Sequence, residues 1–128
     1  MGAAVERACM ALNILIIDDD AFVRDATALT LSDAGHQVKS AHNWDAAAAI
    51  IKDATPDLAI TDLQLPGLDD AAIVALLRSR LPATPIVAVS GASPEVLARA
   101  RAAGAAASVA KPFDWETLES AITAALRR

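Results

Sequence analysis

Leu12-Asn13-Ile14-Leu15-Ile16-Ile17-Asp18-Asp19-Asp20 passes from a short, nearly continuous apolar run straight into three carboxylates. Leu12–Ile17 has the pattern of a strand buried on both faces. Strands of that kind belong to parallel sheets covered by helices, so the sequence on either side should alternate strand and helix.

Working outward, it does. Residues 21–34 place Phe22, Ala26 and Leu29 at helical spacing, with Gly35 as a C-terminal stop. Gln37–Ala41 alternates weakly and reads as an edge strand, and Trp44, Ala47, Ala48 and Ile51 mark one face of a helix over 44–53. Asp57–Thr61 is a third strand, followed by a Pro66-Gly67 loop and a helical stripe of Ile73, Leu76, Leu77 and Leu81 closed by Pro82. Pro85–Val89 is a fourth, buried strand. Ser93-Pro94-Glu95 then combines an N-cap serine, proline at N1 and a first-turn acid, opening a helix that ends at Gly104. Residues 106–110 make a weak fifth strand, and Asp114 caps a last helix that turns Leu118, Ile122 and Leu126 inward. Five βα units with right-handed crossovers predict an α/β fold, a doubly wound five-stranded parallel sheet of order 2-1-3-4-5.

Composition narrows the function. The chain has 128 residues and a net charge of -5, which suits one domain (12–128) after a short tail (1–11) and leaves no room for a separate output domain. Hydrophobic residues make up 55%, but 32 residues are alanine, so the large-apolar fraction is ordinary. The negative balance, with no Tyr and two residues each of Trp and Phe, disfavours nucleic acid, which needs a clustered positive field or a stacking platform. No apolar run approaches the ~18 residues of a membrane span. Glu6 stands where a myristoylation signal wants Ser or Thr, and no secretory signal is visible. The single cysteine, Cys9, excludes an internal disulfide and fits a reducing, cytoplasmic setting. Met10 offers a second possible start beside Met1.

In such a sheet, ligands bind outside the carboxyl ends of the strands. Strand 1 ends in Asp18-Asp19-Asp20, strand 3 in Asp62, strand 4 in Ser90 and strand 5 in Lys111. Taken singly, each has a plain explanation: acids favoured at a helix start, a loop cap, a turn, a surface lysine. Together they predict a carboxylate cluster with one hydroxyl and one ammonium. Two carboxylates ~4 Å apart repel by about 4 kcal/mol at an effective dielectric near 20. A divalent cation relieves that cost, and hard oxygen ligands with room for water suit Mg²⁺. Mg²⁺ held by few carboxylates points to phosphate, with Asp62 as a nucleophile that forms an acyl phosphate.

These same stretches carry a likeness. Ile14-Leu15-Ile16-Ile17-Asp18-Asp19-Asp20, Pro56–Gly67, Pro85–Gly91 and Lys111-Pro112-Phe113 resemble the receiver domain of two-component response regulators, over about Leu12 to Leu126. The resemblance implies a flavodoxin-like (βα)5 fold with Mg²⁺ as cofactor. By matching position it implies Asp62 as phosphoacceptor, Asp19 as a direct metal ligand, Asp18 as a ligand through water and the Gln64 backbone carbonyl as the third protein ligand. It implies Ser90 and Lys111 as partners of the phosphoryl group, and a cis Lys111-Pro112 bond that aims Lys111 into the site. The phosphodonor would be a histidine kinase or histidine phosphotransfer protein and the output an unknown protein partner, with no nucleic acid and no membrane. Such a domain is a self-phosphorylating and self-dephosphorylating switch rather than a turnover enzyme.

The chain departs from the family pattern at two places. Ser108 stands where the family usually has an aromatic switch residue, so the usual inward swing behind the Ser/Thr is unavailable. Asp70 stands where glycine is common, and a left-handed backbone there would cost something. Gln64 and Ala92, two residues after Asp62 and Ser90, are placed to tune attack by water. Two other classes compete: a pseudo-receiver that only binds partners, supported by Ser108, and a small aspartate-nucleophile phosphatase, suggested by Asp18-x-Asp20. Trp44 and Trp115 read as packing, His36 and His42 as surface, and Arg99, Arg101 and Arg127-Arg128 as solvated charge.

Overall fold

A computed structural model describes residues 11–91 and 93–127; the expectations for Met1, Glu6, Cys9, Met10, Ala92 and Arg128 fall outside them. The elements run β1 (Asn13–Ile17), α1 (Ala21–Asp33), β2 (Gln37–Ala41), α2 (Trp44–Asp53), β3 (Leu58–Asp62), α3 (Ala72–Arg80), β4 (Ile86–Ser90), α4 (Pro94–Ala102), β5 (Ala107–Ala110) and α5 (Trp115–Leu126). All strand pairs are parallel, in the order β2-β1-β3-β4-β5. This is the sheet expected from the sequence.

The period-2 geometry of the strands divides the core in two. Leu15, Ile17, Ala59, Ile86 and Ala88 face one side, packed against Ala47 of α2, Ile73, Val74 and Leu77 of α3, and Val96, Leu97 and Ala100 of α4. Ile14, Ile16, Leu58, Ile60, Val87, Val89 and Val109 face the other, packed against Leu31 of α1 and Leu118, Ile122 and Ala125 of α5. The central strands β3 and β4 are buried along their whole length, while β2 and β5, at the edges, are mostly not. Among the described residues no helix is long and apolar enough to cross a membrane.

Several local expectations shift. β3 and β4 each sit one residue later than their apolar runs suggest, because the parallel ladder continues to Asp62 opposite Val89 and to Ser90 opposite Ala110. Asp57 stays outside β3, and its carboxylate accepts the Asn13 N–H at 2.8 Å. Two catalytic candidates are thereby strand residues rather than loop residues.

The stripe on α1 is the larger correction. Phe22 is 83% exposed and Leu29 64%, while Thr27 and Leu31 are buried. At 100° per residue, Phe22, Ala26 and Leu29 lie opposite Arg24, Thr27, Ala28 and Leu31. The helix is held in that rotation at its first turn. Asp20 accepts from the Phe22 and Val23 amides at 2.9 and 3.2 Å, and Arg24 Nη1 donates to the Asp18 carbonyl at 2.9 Å.

Asp70 needs no left-handed backbone: no described non-glycine residue has positive φ, and Gly67, at φ 82°, makes the turn. Ser93 occupies the N-cap position of α4, but its hydroxyl makes no capping bond. His36 is not a plain surface residue, since its Nδ1 accepts the Leu12 N–H at 3.1 Å.

Candidate functional site

The carboxyl ends of β1, β3, β4 and β5 meet at one rim. Asp18 follows β1, Asp62 and Ser90 are the last residues of β3 and β4, and Lys111 follows β5. The Lys111 N–H donates to the Ser90 carbonyl at 2.9 Å, which locks the end of β5 to that of β4. The Lys111-Pro112 bond is cis, as expected.

At this rim Lys111 bridges two acids. Its Nζ lies 3.0 Å from Asp18 Oδ2 and 3.2 Å from Asp62 Oδ2. Both acids are 5% exposed and Ser90 is fully buried, whereas Asp19 faces solvent. Carboxylate oxygens of Asp18, Asp19 and Asp62 lie within 4.8 Å of one another. Each buried acid is also pinned by a backbone amide: Asp18 Oδ1 accepts from Asp20 N–H at 2.9 Å, and Asp62 Oδ1 from Gln64 N–H at 3.0 Å. Charged hydrogen bonds of this kind are about twice as strong as neutral ones and fix the carboxylate planes.

The electrostatics follow from this arrangement. Burial pushes the Asp62 carboxyl above its ordinary value, and the Asp18 charge adds to the rise. The Gln64 amide and Lys111 oppose it without cancelling it. Burial works to lower the Lys111 ammonium, but Asp18 and Asp62 together override it, and its pKa rises above the ordinary 10.5. Three carboxylates against one ammonium leave the cluster negative. The donor set is all oxygen, half buried and half open, which fits a hard divalent cation.

The structure thus brings Asp18, Asp19, Asp62, Ser90 and Lys111 to one edge, as the sequence predicted. Gln64 adjoins them through its backbone. Ser108 does not reach the cluster; it lies three residues before Lys111, half-buried, with its hydroxyl bonded by Arg101. Asp20 is committed to capping α1. His36 and His42 stand at the two ends of β2, the edge strand two places from β3.

Arg24 went unnoticed in the sequence. A lone arginine within a helix carries no signal until the helix is packed, and only then does it meet the Asp18 carbonyl. An apolar hollow of about 420 Å³ beside Lys111 also went unnoticed. It is lined by Phe22, Val23, Phe113, Trp115 and Leu118 among others, so Trp115 forms part of its wall.

Comparison with known proteins gives a consistent answer. The family profile of the response regulator receiver domain matches residues 14–123. The transcriptional regulatory protein PhoP of Escherichia coli (strain K12) is 32% identical over 122 residues, covering 91% of this chain and 53% of PhoP. The chain therefore spans about half the length of that relative. The crystal structure of NtrX from Brucella abortus superposes with a TM-score of 0.86 at 36% identity, over 92% of this chain and 27% of that one. A response regulator from Burkholderia pseudomallei, solved with a phosphorylated aspartic acid, a calcium ion and citrate, superposes with a TM-score of 0.78 at 29% identity, over 85% of this chain and 65% of its own.

Proposed function

The chain belongs to the response regulator receiver domain family of two-component systems, and from that premise we propose that it takes a phosphoryl group onto Asp62 from a phosphohistidine donor and signals by a change in partner binding. One observation carries the reading. Asp62 ends a fully buried strand, with Asp18 beside it and a single ammonium 3.2 Å away. The phosphorylated aspartic acid in the Burkholderia relative supports the same chemistry here.

In this reading an Asp62 oxygen attacks phosphorus in line. A P–O bond forms, the P–N bond to the donor imidazole breaks, and the imidazole leaves with the electron pair. The Gln64 amide holds the other Asp62 oxygen, so the attacking one is presented in a fixed direction. Lys111 exchanges its contact with Asp62 for an oxygen of the arriving phosphoryl group. The Ser90 hydroxyl donates to a second such oxygen. Asp18, Asp19, Asp62 and the Gln64 carbonyl would hold Mg²⁺, Asp18 through water, and that ion supplies charge neutralisation during transfer. The donor is a histidine kinase or phosphotransfer protein, and the downstream partner is a protein.

Intact mass after incubation with acetyl phosphate tests this. One added phosphoryl group that needs Mg²⁺ and is absent from Asp62→Asn is expected. No adduct, together with no binding of beryllium fluoride, would move the assignment to a receiver that only binds partners. The phosphatase reading is weakened by Asp20, whose carboxylate is engaged by two α1 amides rather than turned to the cluster.

A further inference from the structure

Helix α4 packs on β4 and β5 and reaches the loop that leaves β3, partly through the two positions where this chain departs from its family. Arg99 Nη2 donates to Asp70 Oδ2 at 2.8 Å, and Asp70 lies in the loop leaving β3, eight residues after Asp62. Arg101 Nη1 donates to the hydroxyl of Ser108 on β5, three residues before Lys111. The helix itself starts four residues after Ser90, the end of β4. Both arginines sit in its last turn.

Against the sheet, α4 packs on β4 and β5. Nine residues long, it buries Val96, Leu97 and Ala100. Two directional polar contacts add to that packing at the last turn of the helix. A shift of the β3 loop or of β5 as the site gains a phosphoryl group would bear on α4 through these contacts. A phenylalanine at position 108 would offer Arg101 no hydrogen-bond acceptor.

We propose that Arg99–Asp70 and Arg101–Ser108 form a polar latch that holds α4 in the unphosphorylated arrangement, and that phosphorylation of Asp62 is transmitted by opening it. The proposal rests on the function above and names the device that regulates the same site. Coupling is reciprocal: a latch that opens when the site fills must oppose filling. Cutting it then tightens binding of a phosphoryl mimic.

The test is the affinity of the full chain for beryllium fluoride in saturating Mg²⁺, by calorimetry, in two double variants. Arg99→Ala/Arg101→Ala and Asp70→Ala/Ser108→Ala break the same contacts but change the net charge in opposite senses. The latch predicts that both bind roughly two- to tenfold more tightly than the unaltered chain, given the modest strength of exposed pairs. It also predicts faster amide exchange in α4 before any ligand is added. Unchanged affinities, or affinities that move in opposite directions, would overturn the latch, the second by showing a plain field effect. Absence of binding by the unaltered chain would overturn the functional assignment and the latch with it. All four side chains lie at or near the surface, so both variants should fold, and a melting curve checks that.

Discussion

Lys111 offsets the charges of Asp18 and Asp62 with a single ammonium, so its removal exposes what the cluster costs. Breaking a buried pair leaves an unpaired charge and costs up to 3–5 kcal/mol. This lysine is 20% exposed, so Lys111→Ala should lose about 1–3 kcal/mol in urea unfolding without metal. Millimolar Mg²⁺ should restore part of that loss. The raised pKa of Lys111 means its contribution is fully present below 10.5 and lost as pH rises through the higher folded value. Asp62 has the opposite sign. Its folded carboxyl holds a proton more readily than in the unfolded chain, so stability falls as pH rises from 3.8 through the raised value. Above that window Asp62→Asn should be more stable than the unaltered protein in metal-free buffer, while accepting no phosphoryl group. Denaturant midpoints across pH 3 to 8 check the sign, and a less stable variant at pH 7 would contradict it.

Among the elements, α1 shows most clearly where sequence patterning stops. Phe22, Ala26 and Leu29 form a good helical stripe, yet they face outward. Leu31→Ala should therefore cost about 2–5 kcal/mol, as for a buried leucine, and Leu29→Ala less than about 0.5 kcal/mol. Thermal unfolding of the two single variants separates the packing seen here from the stripe read off the sequence. Asp20→Ala removes the acceptor of two N-terminal amides and should cost ~1 kcal/mol. The strands were easier to read. Leu58–Asp62 and Ile86–Ser90 are buried throughout and apolar up to their polar ends because both faces are covered, so no choice of face had to be made. Only their ends moved by a residue, since a strand ends where its ladder partner ends.

At the scale of the whole molecule, metal binding should appear as global stability. At a hundred times its dissociation constant, Mg²⁺ adds about 2.7 kcal/mol, which for a domain of this size raises the melting temperature by roughly 10 °C. Asp19→Asn should abolish most of that rise while changing metal-free stability little, because Asp19 is exposed. Differential scanning fluorimetry with and without Mg²⁺ reads both. The order of the sheet and the rim of Asp18, Asp19, Asp62, Ser90 and Lys111 were legible in the linear chain. Buried parallel strands are written as apolar runs, and the site of such a sheet lies where those runs stop. Arg24 on the Asp18 carbonyl, the Gln64 amide on Asp62, the outward stripe of α1 and the arginines of α4 on Asp70 and Ser108 were not legible. Each depends on how a helix is rotated or how a loop returns, and those are set by packing between elements far apart in sequence. The apolar and acidic pattern of the chain by itself determined which fold forms and which edge carries the chemistry. The tertiary structure alone decided which polar groups hold that edge in place, because a hydrogen bond is specified by direction and distance, and neither exists until the layers have closed on each other.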